Sequence, residues 1–514
     1  MTTYYVSPTG ADSADRDGLS AQTAWQSLAY ASDRTPAGDH TIQLSAGTFV
    51  ATETARPKSG ITIVGAGHEG ETQTKIVASA DWPLSADPTS ATRIDSEYLI
   101  ALKAVQDVTI RDLTLTSEPS HHITGAVHAE RANGLTVHHV TVQDFRWAGL
   151  DLSLSERLLV HNNHIENAST EKHGFPNGLI RTRFLKHSEF HHNTVVSTTG
   201  GYGYKGGGHE NVRIHHNTFD LASGFAIESA HKNEFGVEID HNWANATISI
   251  PKGRQSADPS DRGYDYTFWI HHNFLTDSYT IEGPRNHLRV SHNYVRIADT
   301  GGRVYTHHGG VNYGPVWIHH NVVENVDRNL IWMNQGLAEN IFVFNNTVTF
   351  ANAGDRAGAI LSAPNRETPD QGANRWIAKN NIFLAPKSQP RNLLPNNSAA
   401  RNVDVTHNIV QNLKNVPENN FDDISGGLLQ SGNQPWPFYA PASEASPLVD
   451  SGTDVGLSFL GEAPDIGAYE LGEEAVFPVS FTTAKKELFQ NHSSVLVSML
   501  LLSMVSIGWA KLKR

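Results

Sequence analysis

The chain has 514 residues, with 39 Lys and Arg against 53 Asp and Glu, a net charge of −14 and no cysteine. The acidic balance argues against nucleic acid as a partner. The absence of cysteine excludes disulfides, thiol nucleophiles and thiolate metal sites, while length alone would suggest about three domains.

The opening MTTYYVSPTG has neither a basic stretch nor an apolar run, so no N-terminal signal is visible. Residues 1–60 read as an N-terminal cap with the first strands and one amphipathic helix near residues 23–32. Further on, a phrase keeps returning. It ends as VHNN at Asn163, FHHN at Asn193, IHHN at Asn217, IDHN at Asn242, IHHN at Asn273, VSHN at Asn293 and IHHN at Asn321. Weaker copies end at Asn346, Asn381 and Asn408. The gaps run from 20 residues (Asn273 to Asn293) to 35 (Asn346 to Asn381), a variable period that marks a solenoid and overrides the length prior.

Each repeat is a short β-rich unit. In 211–228 (NVRIHHNTFDLASGFAIE), Val212, Ile214, Phe219, Phe225 and Ile227 are apolar at two-residue spacing within each run, which sends one set of side chains inward. No helix-length segment separates the strands, so βαβ crossovers have no room. β-Propeller blades need about 40–50 residues each, more than these gaps allow. The expected fold is therefore all-β, a right-handed parallel β-helix of about 11–13 coils spaced about 4.8 Å apart. The Asn at each strand end suits a bend, since Asn tolerates left-handed backbone, and stacked Asn side chains would form an inward amide ladder.

These Asn-ended coils resemble the right-handed parallel β-helix proteins of the pectate-lyase-like superfamily. Residues 4–32 (YYVSPTGADSADRDGLSAQTAWQSLAYAS) resemble the N-terminal cap of many secreted or surface members, and 446–470 (SPLVDSGTDVGLSFLGEAPDIGAYE) a closing motif. The resemblance spans roughly residues 4–470 and implies fold more than activity, because the architecture hosts lyases, hydrolases, esterases, epimerases and adhesins. Coils then occupy 61–410 and the closing segment 411–471. A linker covers 472–490, and 491–514 holds a hydrophobic tail helix with a basic end. Within it, VLVSMLLLSMVSIGWA at 495–510 precedes Lys511, Lys513 and Arg514. That run is slightly shorter than the ~20 residues of a full span, but its Trp and basic flank match an interfacial anchor. The expected location is extracytoplasmic, on the cell surface or membrane-anchored through this tail, and the expected state is a monomer.

Chemistry concentrates in the strand that follows each Asn-ended pair. In chain order these read GLDLS, GLIRTR, GYGYKGG, GFAIES, TISIPKGR, YTIEGPR, RVYTHHGG and NLIWMNQ. Stacked, they would display Lys205, Glu228, Lys252, Glu282 and His307 as catalytic candidates. Arg181, Arg183, Tyr202, Tyr204, Arg254, Arg285, Arg303, Tyr305, Trp332 and Asn334 would bind substrate. Aromatic faces with both signs of charge suit a sugar chain. A lyase acting on uronic acids needs a cation for the substrate carboxylate, a base for the C5 proton and an acid for the leaving oxygen, and these residues supply each. An inverting glycoside hydrolase would use Glu228 and Glu282, two coils and roughly 10 Å apart at the backbone, against the about 6.5–9.5 Å between carboxyls that such enzymes need. A non-catalytic carbohydrate-binding surface protein or adhesin is the third reading. The excess of cations on this face favours an anionic polysaccharide and a lyase.

The histidine pairs 191/192, 215/216, 271/272 and 319/320 invite a metal reading. Neighbours in a strand point to opposite faces, so no pair chelates one ion, and no metal or cofactor is expected. Calcium is not predicted, although 258–265 (DPSDRGYD) offers oxygens.

Overall fold

In the computed structural model the chain divides into a body, Met1–Glu473, and the remainder, Glu474–Arg514. The structure describes residues 1–473 except 71, 85–94, 120, 168–177, 232, 251–257, 277–278, 283–286, 298–302, 308–314, 334–336, 352–360, 363–371, 389, 395–399, 422–438 and 442. Most of the expected linker and all of the expected tail helix lie outside the described residues. Among the described residues, no helix is long and apolar enough to cross a membrane.

One coil shows the plan. Lys186–His191 forms the first strand, a sharp corner follows, Thr194–Ser197 forms the second, and Gly201–Gly206 the third. Each strand pairs in parallel with its equivalent one turn on, Lys186–His191 with Glu210–His215, Thr194–Ser197 with Thr218–Leu221 and Gly201–Gly206 with Gly224–Ser229. Among the described residues, first and second strands together make a 27-stranded sheet, and third strands make a separate sheet of 11. That is a parallel β-helix, as the repeats and the pectate-lyase-like resemblance imply. The ladder starts at once, since Thr2–Val6 already pairs in parallel with His40–Leu44.

Alternation sets the register. Phe190, Ile214, Ile239, Ile270, Val290 and Ile318 align coil on coil and are buried. Each contributes roughly 1.5–3 kcal/mol of burial, and a one-residue slip would turn the whole column outward. The cap helix is Leu28–Arg34, shorter and later than the expected 23–32, with Ser27 accepting a hydrogen bond from the Tyr30 N–H. It cannot start earlier because Trp25 is tied into the first strand, its N–H donating to Tyr5 O (3.0 Å) and its carbonyl accepting from Ser7 (2.9 Å).

The expected amide ladder is present and runs inside the corner from Asn163 to Asn420. Asn217 is typical. Its Nδ2 donates to Asn242 Oδ1 (3.0 Å) and to the Phe190 carbonyl (2.9 Å), and its backbone N–H also donates to Asn242 Oδ1 (3.0 Å). The left-handed residue, however, is the one before each Asn. His192, His216, His241, His272, His292 and His320 have φ between 52° and 54°. A left-handed residue costs about 1–2 kcal/mol. The corner places it there so that the Asn keeps both its amide and its backbone N–H for the ladder.

This conformation also overturns the expectation that paired histidines face apart. Turned by the left-handed backbone, the second ring swings alongside the first, with Nδ1···Nδ1 distances of 2.9 Å for 191/192, 2.8 Å for 215/216, 2.8 Å for 271/272 and 2.9 Å for 319/320. The rings also stack along the axis, His216 on His241 at 4.8 Å, His241 on His272 at 5.0 Å and His272 on His292 at 4.9 Å. Burial pushes the His272 imidazole down to about 4 and that of His320 to about 3, which keeps these two rings neutral. In each pair one Nδ1–H donates and the other Nδ1 accepts. Where the stripe ends, Asn345 and Asn380 take the left-handed position and the closing segment docks on them. Asn345 Nδ2 donates to the Asp465 carbonyl (2.9 Å) and Asn380 Nδ2 to the Thr453 carbonyl (2.8 Å).

Candidate functional site

The 11-stranded sheet carries the charged row that the sequence suggests. Strand register aligns Asp151 with Arg181, Arg181 with Lys205 and Lys205 with Glu228. The row continues through Ser249, Glu282, Thr306 and Trp332. Glu228 and Glu282 thus lie two coils apart in one row with Ser249 between them. Lys252, Arg254, Arg285 and Asn334 lie outside the described residues. Register puts Thr306, rather than His307, in the row of Glu282, and pairs Arg303 with Tyr279.

Two expectations fail for one reason. Tyr204 and Tyr305 are core residues, 0% and 2% exposed, and not substrate ligands. In Gly201–Gly206 Lys205 is half-buried and Tyr202 is only 9% exposed, while Tyr204 points inside. There its hydroxyl lies 3.3 Å from His209 Nε2. Tyr305 shares the Tyr204 column through Ile227, Ile248 and Ile281.

The row changes character along its length. At its N-terminal end it is closed. Asp151 is fully buried, accepting from the Tyr98 hydroxyl (3.2 Å), with Arg181 Nη1 at 3.5 Å and His128 Nδ1 at 3.8 Å. Tyr98 reaches Asp151 because Gly125 lies beneath its ring; a Cβ there would sit 2.4 Å from Tyr98 Cε1. Beside this group, buried Arg146 donates to Glu97 at 3.0 Å, and Trp147 covers the Arg181 guanidinium at 5.3 Å. Arg183, two residues on from Arg181, is exposed.

At Lys205 the row opens. Its ammonium sits 3.9 Å from the centre of the Tyr202 ring, which stacks on Phe225 at 5.1 Å with an interplanar angle of 13°. Lys205 is half-buried, and burial lowers its pKa; Glu228 pulls it back up, while Arg181 and Arg183 push it down. Beyond it, a β-bulge between Phe225 and Ile227 re-aims the strand next to Glu228. An aromatic platform, an amine of reduced basicity and a carboxylate therefore sit side by side, on strands about 4.8 Å apart. Trp332 lies further along the same row and is half-buried.

Sequence reasoning missed Tyr98, His128, Trp147, Phe225 and Ser249. His128 had a signal: GAVHAE at Gly125–Glu130 is the same strand one coil before Ala148–Ser153. It went unread because the Asn phrase starts only at Asn163.

No family model and no curated protein matches the sequence. Solved structures do match. The chain is similar to XylC in complex with xylose, at 12% identity over 84% of this chain and 88% of that one, TM-score 0.46. It is similar to pectate lyase Pel9A at 15% identity over 91% and 96%, TM-score 0.33. It is also similar to PfbA, a surface adhesin of Streptococcus pneumoniae, at 11% identity over 72% and 86%, TM-score 0.41.

Proposed function

We propose that this β-helix binds an anionic, uronic-acid-containing polysaccharide along its 11-stranded sheet and cleaves it by β-elimination. The placement of Lys205 carries the reading. It stands in register between Arg181 and Glu228, and partial burial lowers its pKa from the ordinary lysine value, in the direction of the neutral amine that takes a C5 proton. The C5–H electrons form the C4–C5 double bond, the C4–O bond breaks, the departing oxygen takes a proton from water, and Lys205 later returns its own to water. Arg183 offers an exposed cation for the substrate carboxylate, and the Tyr202–Phe225 stack offers a sugar-binding face. Such a substrate places the protein outside the cytoplasm.

A second reading has its own support. Glu228 and Glu282 share one row with a single coil between them, the arrangement an inverting hydrolase would use. The test is incubation of the full chain with uronic and neutral polysaccharides. Reducing ends are followed beside absorbance near about 235 nm, where the new conjugated double bond absorbs. Rising absorbance that falls about 10²–10⁴-fold in Lys205→Ala is expected. Reducing ends without absorbance, lost in Glu228→Gln, would replace the lyase with the hydrolase. Binding without cleavage would leave an adhesin.

A further inference from the structure

The histidine stripe is interrupted once by a carboxylate, and the chemistry changes there. In the column formed by His191, His215 and His271, the coil between the last two carries Asp240, whose side chain is fully buried. His241 follows it in the left-handed position, its Nδ1 at 2.7 Å from Asp240 Oδ2. His271 stacks on from the next coil, and donor atoms of Asp240, His241 and His271 all lie within 4.8 Å of one another.

We propose that Asp240, His241 and His271 form a binding site for a divalent transition-metal ion of the zinc class. Two imidazoles and one carboxylate are a donor set such ions accept, commonly with a fourth position left to water. The surroundings match what ligands need. His271 Nε2 lies 2.8 Å from Glu238 Oε1, so Glu238 holds the Nε2–H tautomer and leaves Nδ1 as an acceptor, which at present faces His272 Nδ1 at 2.8 Å and which an ion would take over. Arg213 grips Asp240 from behind, Nε to Oδ1 at 2.8 Å and Nη2 to Oδ2 at 2.7 Å, which fixes the carboxylate. The Trp269 ring lies 4.1 Å from that of His271 and screens it from water. Donor atoms of His215 and His216 in the preceding coil also lie within 4.8 Å of Asp240, whereas His191 and His192, a coil further back, pair with each other at 2.9 Å.

At present the 2.7 Å contact between Asp240 and His241 holds a proton. An ion in its place requires the donor atoms to separate to about 3.3 Å, the edge of a tetrahedron with metal–nitrogen bonds of about 2.0–2.1 Å. Side-chain rotation at the partly exposed His241 can supply that. Because His271 belongs to the coil after Asp240, the ion would staple two coils together.

The test uses the full chain, stripped with chelator and titrated with zinc by calorimetry, and with cobalt by visible absorption. One saturable equivalent, a tetrahedral cobalt spectrum and a higher melting temperature with zinc are expected. His271→Ala should abolish the cobalt spectrum, Glu238→Gln should weaken binding about 10–100-fold, and His192→Ala should leave it unchanged. Should His271→Ala fail to fold, His241→Ala tests the same ligand set. Binding that survives both ligand substitutions, or that falls equally with His192→Ala, would mean adsorption along the whole stripe and overturn the site, as would no saturable binding. Polysaccharide cleavage does not enter these readouts, so the two proposals fail independently.

Discussion

Replacing Asn242 with alanine removes one rung of the amide ladder at mid-body. Its Nδ2 donates to the Ile214 carbonyl (2.8 Å) and to Asn273 Oδ1 (3.0 Å), and its Oδ1 accepts from the backbone and side-chain nitrogens of Asn217, both at 3.0 Å. A net hydrogen bond contributes about 1 kcal/mol, and a buried group left unpaired costs about 1–3 kcal/mol. Asn217 is buried and loses its acceptor, so a loss of about 3–5 kcal/mol is expected. Asn242→Asp keeps the shape but aims an oxygen at two acceptors, and should cost at least as much. Asn420 ends the ladder and is partly exposed, but it accepts from both nitrogens of the buried Asn408, so Asn420→Ala should bring a loss of the same order. Urea unfolding followed by circular dichroism gives the ranking, and hydrogen exchange should localise the damage to the coils of Asn217 and Asn273. An Asn242→Ala loss below about 1 kcal/mol would refute the ladder as a source of stability.

Glu97→Gln breaks the buried pair with Arg146 (3.0 Å) and should cost about 3–5 kcal/mol, with much of it recovered when Arg146→Met is added; an additive double mutant in thermal melts would contradict this. Burial pushes Glu470 up to about 7, although N–H donation from Asp465 pulls the other way. A carboxyl raised in the folded state favours folding when protonated, so its contribution is fullest below pH 4.5 and is lost as pH rises to about 7. Glu470→Gln should therefore stabilise the closing segment by about 1–2 kcal/mol at pH 8 and flatten the melting profile between about pH 5 and 7; parallel profiles for the two proteins would count against it.

The repeat itself was legible in the chain. Period-two alternation in runs such as Val212 to Ile214 demands a buried face, and an Asn at the same place in every copy demands a shared partner, so coil, core column and amide ladder followed from local pattern. The charged row from Arg181 through Lys205 to Glu228 was legible too, because equivalent positions of parallel strands must align. Direction at irregular backbone was not. Strict alternation puts Tyr202 and Tyr204 on one face, and so does not tell that Tyr204 fills the core column while Tyr202 meets Lys205, nor whether paired histidines meet once the second turns left-handed. Burial was equally hidden, since Asp151 and Arg181 lose solvent to Tyr98 and Trp147, residues 53 and 34 positions earlier in the chain. A single strand specifies which side chains alternate. Only the stacking of coils, with left-handed corners and covering loops, decides which of them touch, which meet water, and so which can act.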